Sequence, residues 1–381
     1  MLPQPDLIAQ QHSAKVSRFI ADKILSQGPI TFAEYMQTVL YQPGLGYYVA
    51  GTHKFGRGGD FITAPEVSPL FAQCLARQSQ QILTELGGGD ILEFGAGSGQ
   101  LAVDLLTALN AADALPQHYY ILELSPELRD RQQALLQRHL PQFFSRICWI
   151  DHLPLGFEGV MIANEVLDAM PVHRFCWANH GLKEYYVDYA HSGFVDLLQP
   201  ASAALTEVVA QLSLPTEISY HSEINLNIPG WMQSLASSLE KGAILLLDYG
   251  YPRHEYYHPE RCQGTLMCHY QHYAHTDPYW WPGLQDITAH VEFTAVALAG
   301  QASQLELAGF NTQAHFLLSC GITELAEPGL LQENGYLLSQ QLKKLLLPTQ
   351  MGEAFKVMGF TKKMTIPLLG FQLQDRRDRL F

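Results

Sequence analysis

A regular alternation of short apolar runs with longer helical segments fills the region from residue 90 to residue 164. The apolar runs are DILEF, YYILEL, ICWI and GVMIAN, and the helical segments QLAVDLLTAL and ELRDRQQALLQRHL separate the first three of them. Strands that alternate with helices in this way form parallel sheets with crossover connections. A later run, AILLLDYG at residues 243–250, is predicted as a fifth buried strand. The sequence therefore predicts an α/β fold with a doubly wound sheet.

Three further parts of the chain surround this predicted sheet. Residues 1–80 are predicted as an N-terminal helical and loop cap, in which Thr31 and Glu34 form a capping box and Ser68 begins a helix. The core is predicted over residues 81–170 and 240–381. Its closing strands are expected in TQAHFLL, near residues 312–318, and in EAFKVMGFTKK, near residues 353–363.

The remaining part is a large insertion between the fourth and fifth predicted strands, assigned to residues 171–239. Roughly seventy residues separate the two strands, which is more than a crossover connection needs. The insertion alternates like a β-hairpin before it becomes helical. We expect it to face the substrate or a partner.

Composition narrows the class of protein. The 381 residues carry a formal net charge of −14 and no Lys/Arg-rich run, which argues against nucleic-acid binding. Six scattered cysteines favour reduced thiols, and no window approaches the roughly 18 apolar residues of a membrane span. Because the N-terminus also lacks the pattern of a signal or transit peptide, we expect a cytoplasmic protein without a membrane span.

The strongest local signal is LEFGAGSGQ, which lies directly after a predicted strand and directly before a predicted helix. Its glycines Gly95, Gly97 and Gly99 permit a tight turn and close approach of a ligand to the backbone. Gln100 stands where the dinucleotide fingerprint has glycine, so the spacing favours S-adenosylmethionine over a nicotinamide cofactor. We include Glu93 among the candidate cofactor contacts. The alternative is that the glycines have only a structural role, in the turn between strand and helix, and bind no ligand.

Acidic residues follow the next two predicted strands. Glu123, with Leu124 beside it, ends the second strand, and Asp151 ends the third. Ligands of open α/β sheets lie at the carboxyl ends of the strands, where Glu123 can accept hydrogen bonds from ribose hydroxyls and Asp151 can reach an adenine amino group. Alternatively, Glu123 caps the following helix and Asp151 simply ends a strand.

Several longer motifs point to one family. They are LYQPGLGYY, GDFITAPEVSPLFAQCLA, LEFGAGSGQLAVDLL, ANEVLDAMPVHRF, GTLMCHYQHY and PGLQDITAHVEF. On these segments the sequence resembles the MidA-like S-adenosylmethionine-dependent methyltransferases, bacterial relatives of the mitochondrial complex I assembly methyltransferase. The resemblance implies a class I, Rossmann-like methyltransferase fold and S-adenosylmethionine as cofactor.

The mitochondrial member of that family further implies a reaction. It implies symmetric dimethylation of an arginine in a protein, namely a subunit of a respiratory complex. Two alternatives remain open: methylation of a small molecule or of another protein side chain, and an assembly or binding factor that uses the fold without significant catalysis.

The polar residues at the end of the fourth predicted strand fit an arginine acceptor. A guanidinium presents forked donors that match carboxylates, so Glu165 and Asp168 are candidates to hold it, with Glu165 as the principal clamp. If the segment becomes helical after Asn164, the two carboxylates share one face. Asn164 is a candidate for both the catalytic and the cofactor site. The alternative is that Asn164 or Glu165 caps a short helix and Asp168 is solvated.

Other candidates have weaker support. Asp60, Thr63 and Glu66 lie on a loop that could close over the methionine end of the cofactor, and His290 could contact the acceptor or take a proton. A structural role for His290 is equally compatible with the sequence. The Cys- and His-containing run at residues 262–275 matches no compact zinc spacing, so we predict no metal there and expect a lid or an acceptor surface.

Overall fold

The structure is a computed structural model that describes residues 2–50, 63–178, 181–191, 193–215, 218–333 and 335–381. The chain divides into two compact units. The first unit comprises Met1–Phe61, Asp168–Ile228 and Arg253–His290, and the second comprises Ile62–Leu167, Pro229–Pro252 and Val291–Phe381. The domain boundaries predicted from the sequence lie at residues 80, 170 and 239, and they differ from the boundaries of these units. The predicted division into domains stays a prediction.

The α-helices, numbered in chain order, are distributed over both units. They are α1 (Leu7–Gln27), α2 (Phe32–Tyr41), α3 (Ala64–Val67), α4 (Pro69–Leu86), α5 (Gln100–Ala111), α6 (Pro126–His139), α7 (Ala203–Val209), α8 (Ile228–Ser238), α9 (Arg253–Tyr256), α10 (Phe293–Ala302), α11 (Gln313–Ser319), α12 (Ile322–Leu330), α13 (Gly335–Leu346) and α14 (Met351–Ala354). Short 3-10 helices occur at Phe144–Arg146, Pro259–Arg261, Leu369–Phe371 and Arg377–Arg379.

The strands are numbered in the same way. They are β1 (Ile30–Thr31), β2 (Asp90–Phe94), β3 (Tyr119–Leu122), β4 (Ile147–Ile150), β5 (Phe157–Asn164), β6 (His173–Ala178), β7 (Gly181–Ala190), β8 (Gly193–Pro200), β9 (Tyr220–Ile224), β10 (Leu239–Tyr251), β11 (Met267–Tyr270), β12 (Tyr273–His275), β13 (Asp286–Thr288), β14 (Val291–Glu292), β15 (Glu306–Thr312) and β16 (Phe355–Lys362).

The second unit is built on the predicted doubly wound sheet. Its strand order is β15-β16-β10-β5-β2-β3-β4, and β14 pairs with β10 outside this path. The five strands β10, β5, β2, β3 and β4 run parallel to one another. Strand β16 is antiparallel to both β10 and β15. All five strands predicted between residues 90 and 250 are present, as is the closing strand β16. The predicted fold class is confirmed.

One predicted strand is wrong. TQAHFLL forms helix α11, and the strand β15 lies just before it. Thr312 ends the strand and caps the helix, because its hydroxyl accepts the backbone N–H of His315. Phe316 and Leu317 then bury their side chains on the helix. An apolar run of this length fits a strand or a buried helix, and the cap decides which one forms.

The helices α4 and α5 supply much of the core around the sheet. Phe71 and Leu105 belong to the same buried apolar cluster as Val160 of β5 and Leu245 of β10. The predicted start of α4 is confirmed, since the Ser68 hydroxyl accepts the backbone N–H of Leu70 at 3.4 Å. This packing fixes the sheet whose strand ends carry the candidate site.

The first unit contains two smaller antiparallel sheets. One has the order β1-β7-β6-β9, with β8 paired to β7, and the other has the order β12-β11-β13. The hairpins β6–β7 and β7–β8, followed by α7, agree with the pattern predicted for the insertion. The predicted capping box of Thr31 and Glu34 is also present at the start of α2. Within the described ranges, no helix combines the length and apolar composition needed to cross a membrane.

Candidate active site

The glycine turn follows β2 in the second unit. Gly95, Gly97 and Gly99 all have positive φ angles, of 60°, 53° and 84°, which side chains strongly disfavour. Gly99 is the N-cap of α5, and no side chain of the described residues caps this helix start. The first backbone N–H groups of α5 therefore remain available to an anionic or polar ligand group.

The carboxylate of Glu123 lies at the end of β3, beyond Leu122. Its exposed fraction is 6%, and two donors hold it: the backbone N–H of Ser125 reaches Oε1 at 2.9 Å, and Gln132 Nε2 reaches Oε2 at 3.0 Å. Burial raises the pKa of Glu123, and these hydrogen bonds oppose that increase. The adjacent Leu124 is 62% exposed and offers an apolar surface next to a fixed carboxylate.

The ends of β3 and β4 are tied together by Arg129 of α6. Its guanidinium donates to the backbone oxygens of Glu123 at 2.6 Å and of Ile150 at 3.1 Å, and to Asp151 Oδ1 at 2.6 Å. Asp151 is exposed and forms an ion pair with Arg129. The two acidic residues predicted at successive strand ends therefore share one arginine.

Glu93 lies within β2 and is buried. The Tyr119 hydroxyl on β3 donates to its Oε2 at 2.7 Å. Burial raises the pKa of Glu93 to about 7, while the bond from Tyr119 lowers it and the nearby Glu123 raises it. Contact between Glu93 and a cofactor stays a prediction.

The segment after β5, which we call the β5 turn (Glu165–Leu167), is held through its backbone. The N–H of Glu165 donates to Leu247 O at 2.9 Å. The N–H groups of Val166 and Leu167 donate to Asp248 Oδ2 at 3.2 and 2.9 Å, and Asp248 is fully buried. A carboxylate in the last part of β10 thus fixes the path of the chain that leaves β5.

The backbone of Glu165 has a φ of 54°, which is uncommon for a residue with a side chain. No helix follows Asn164, because residues 165–168 form bends and a turn. The condition under which Glu165 and Asp168 would share one helical face is therefore not met, and the alternative that Asn164 or Glu165 caps a short helix is wrong. Instead, Asn164 Nδ2 donates to Glu165 Oε1 at 3.2 Å.

The β5 turn lies beside the glycine turn. Strand β5 pairs with β2 on one side and with β10 on the other. A β-carbon at Gly95 would lie 3.6 Å from Val166 Cγ2, so the two turns are close neighbours. The structure therefore brings the predicted cofactor turn and Glu165 together within one unit.

Asp168 and His290 belong to the first unit. Asp168 is 5% exposed, and its backbone oxygen accepts the N–H of Ala289 at 3.0 Å. The backbone N–H of His290 donates to Thr265 Oγ1 at 3.1 Å, and Thr265 in turn donates to the buried carboxylate of Glu223. These two candidates are therefore positioned by neighbouring segments of the same unit.

The candidate loop residues are only partly covered by the structure. Thr63 precedes the short helix α3, and its backbone oxygen accepts the N–H of Glu66 at 3.0 Å. Asp60 lies outside the described residues. The part of the chain that is described also shows no group of three or more His, Cys, Asp or Glu side chains arranged to hold a metal ion.

Three residues of this site were not identified from the sequence: Arg129, Gln132 and Asp248. Asp248 could have been found, because an aspartate directly after the apolar run AILLL is the same signal that identified Glu123 and Asp151. Arg129 and Gln132 lie on a helix that is rich in Arg and Gln, where a polar residue usually indicates a solvated face. No local signal separates them from their neighbours.

Comparison with known proteins gives consistent results. Residues 74–311 match a family described as "Putative S-adenosyl-L-methionine-dependent methyltransferase". Protein arginine methyltransferase NDUFAF7, mitochondrial, of Danio rerio is 30% identical over 373 residues, which cover 90% of this chain and 85% of that protein. The corresponding homolog of Drosophila melanogaster is 29% identical over 391 residues, 93% of this chain and 87% of that protein.

A solved structure is similar over nearly the whole chain. A crystal structure of a Burkholderia thailandensis protein bound to S-adenosyl-homocysteine has a TM-score of 0.94 and 42% sequence identity, covering 99% of this chain and 100% of that one. The predicted MidA-like resemblance and the class I sheet are both confirmed. The glycine turn, the acidic strand ends and the family match lead to one conclusion: this chain belongs to the family of S-adenosyl-L-methionine-dependent methyltransferases.

Proposed function

We propose that this methyltransferase modifies an arginine side chain of a protein and dimethylates it symmetrically, with Glu165 as the principal clamp of the guanidinium. Relatives named protein arginine methyltransferase, similar over about nine-tenths of the chain, support the acceptor. The observation that carries the proposal is the β5 turn: Glu165 has a left-handed backbone next to the glycine turn.

The unusual backbone of Glu165 is maintained by its surroundings. A left-handed conformation costs a non-glycine residue on the order of 1 kcal/mol or more, and it persists where neighbouring groups enforce it. Here Leu247 O and the buried Asp248 carboxylate hold the three N–H groups of the turn. Strain of this kind concentrates at functional sites, which supports a role for the Glu165 side chain beyond folding.

The chemistry of methyl transfer suits a carboxylate clamp. S-adenosylmethionine, when bound, supplies an electrophilic methyl group, so the protein has to present a nitrogen in line with it. A guanidinium is protonated in water and spreads its charge over three nitrogens. Hydrogen bonds from two of them to Glu165 would draw positive charge away from the third and fix its orientation. As the new N–C bond forms, the S–CH₃ bond of the sulfonium would break, S-adenosylhomocysteine would leave, and the attacking nitrogen would release one proton to water.

We further propose how the residues at the ends of β2, β3 and β4 bind the cofactor. The free N–H groups at the start of α5 suit the carboxylate of the cofactor's methionine part. Glu123, whose carboxylate is fixed by Ser125 and Gln132, would accept the ribose hydroxyls, and Leu124 with Asp151 would contact the adenine. Roles for Asp168 and His290 in binding the acceptor or moving the proton stay predictions.

The proposal is tested by labelled methyl transfer. Purified protein is incubated with methyl-labelled S-adenosylmethionine and with proteins extracted from cells that lack the gene, and the labelled proteins are hydrolysed to amino acids. We expect the label in symmetric dimethylarginine. Label in a different amino acid or in a small molecule would refute the arginine proposal, and S-adenosylhomocysteine binding without any transfer would favour a binding factor.

A further inference from the structure

Gln132 on α6 forms hydrogen bonds with three segments around the predicted cofactor site. It is fully buried. Its Nε2 donates to the backbone oxygen of Gly97 at 3.0 Å and to Glu123 Oε2 at 3.0 Å. Its Oε1 accepts the indole N–H of Trp149 at 2.9 Å. One side chain therefore joins the glycine turn after β2, the acidic end of β3 and strand β4.

The orientation of this amide is determined by its partners. The indole of Trp149 can only donate, so it requires the carbonyl end of Gln132. Gly97 O and the Glu123 carboxylate can only accept, so they require the two N–H groups of the NH₂ end. Both amide hydrogens are used, and a residue without two donors would remove a partner from the buried carboxylate of Glu123 and from Gly97 O.

The same residue also packs directly against the glycine turn. A β-carbon built on Gly99 would lie 3.4 Å from Gln132 Cγ and 3.5 Å from its Cα. The distance between the turn and the Glu123 carboxylate therefore depends on how Gln132 fills this space. On the other side, the Ser125 N–H holds the second carboxylate oxygen of Glu123.

We infer that Gln132 is a positioning residue of the cofactor site: it fixes the Glu123 carboxylate relative to the glycine turn and thereby sets how strongly the ribose hydroxyls of the cofactor are bound. The inference rests on the cofactor part of the proposed function and is independent of arginine as the acceptor. It predicts an effect on cofactor affinity that depends on the ribose hydroxyls, which a general loss of packing would not produce.

The test compares calorimetric affinities for S-adenosylhomocysteine and its 2′-deoxy analogue. We expect the wild type to bind the complete ligand roughly tenfold more tightly, the value of one hydrogen bond to a charged group. Gln132→Met keeps a similar volume but removes both donors. It should weaken S-adenosylhomocysteine binding about ten- to a hundredfold and abolish the preference for the hydroxyl. The turnover number at saturating cofactor should stay within about threefold of wild type.

Two further variants complete the test. Gln133→Met changes the exposed neighbour on the same helix and should behave like wild type. Trp149→Phe removes the donor that orients the amide and should reduce the preference about threefold; it replaces Gln132→Met as the deciding variant if that protein does not fold.

The results distinguish the positioning role of Gln132 from the assignment of Glu123 to the ribose. A folded Gln132→Met protein that keeps the full preference for the ribose hydroxyl would overturn the role of Gln132. A wild type without any preference would overturn both that role and the assignment of Glu123 to the ribose. Neither result would change the outcome of the methyl-transfer assay, which tests the acceptor separately.

Discussion

Two neighbouring regions of the second unit are fixed in different ways. At the end of β3, a side chain is held: the Glu123 carboxylate is bound by Ser125 N–H and by the buried amide of Gln132. At the β5 turn, the backbone is held, because Asp248 accepts the N–H groups of Val166 and Leu167. The first arrangement fixes the position of a carboxylate, whereas the second fixes the path of the backbone and the residue on it.

This difference predicts a separation of kinetic effects. Changes around β3 and the glycine turn should weaken cofactor binding and leave the transfer step largely intact. Changes at the β5 turn should slow methyl transfer and leave cofactor affinity intact.

Gly97→Val should abolish cofactor binding. A β-branched residue at a φ of 53° is strained, and the side chain would project from the turn that approaches the ligand. We expect calorimetry to show at least about a hundredfold loss of S-adenosylhomocysteine affinity, which corresponds to about 3 kcal/mol. Gly156→Val is the matched control, since Gly156 has a φ of 66° in the turn before β5 and open space around it. Equal losses in both variants would show that backbone strain alone explains the result.

Glu93→Gln should change how stability depends on pH. Burial raises the pKa of Glu93 to about 7, above the ordinary value of 4.5, so between these values the folded protein holds a proton that the unfolded chain has released. The free energy of unfolding of the wild type should therefore fall as pH rises through this window, and Glu93 alone should account for about 3 kcal/mol of this fall. Above the window it should level off.

The glutamine variant lacks this titration, and its amide oxygen can still accept the Tyr119 hydroxyl. Urea unfolding at pH 5 and pH 8 should show that the loss of stability between the two pH values is smaller in the variant by about 3 kcal/mol. An identical pH dependence in both proteins would contradict the buried, protonated state of Glu93.

Asp248→Asn should loosen the β5 turn. The variant loses the charge assistance of the bonds from three backbone N–H groups, those of Val166, Leu167 and Tyr249, at a cost of about 2 kcal/mol of folding free energy. We expect slower methyl transfer, by roughly tenfold, with unchanged cofactor affinity. Asp151→Asn provides a control for stability, because its exposed ion pair with Arg129 contributes less than about 1 kcal/mol. Weakened cofactor binding in Asp248→Asn, with transfer at the wild-type rate, would remove the proposed separation.

The sheet of the second unit was predictable because its strands are continuous apolar runs. The runs that became β2, β5 and β10 are largely buried, and those that became β3 and β4 are partly buried. Helical patterns separate β2, β3 and β4, which leaves few alternatives. Their ends were predictable for the same reason, since Glu123 and Asp151 directly follow such runs. The strand expected in TQAHFLL failed because the local pattern also suits a helix, and the cap at Thr312 favours the helix.

Two supporting residues of the site, Arg129 and Gln132, could not be predicted. Gln132 and Arg129 act through contacts with segments distant in sequence, and only the folded structure shows which Gln or Arg of α6 points inward. The left-handed backbone of Glu165 likewise depends on Leu247 and Asp248, some eighty residues later in the chain. Local sequence can therefore identify a polar strand end but not the conformation of the turn that follows it.

The role of Glu165 as the clamp of the acceptor guanidinium is tested by the rate at which Glu165→Gln transfers labelled methyl groups to protein arginine at saturating S-adenosylmethionine. Glu158→Gln is the matched control, since Glu158 is an exposed residue near the opposite end of the same strand β5. We expect Glu165→Gln to lose about a hundredfold in transfer rate while it keeps wild-type affinity for S-adenosylhomocysteine, and we expect no loss for Glu158→Gln. Wild-type transfer by a folded Glu165→Gln protein would contradict this role.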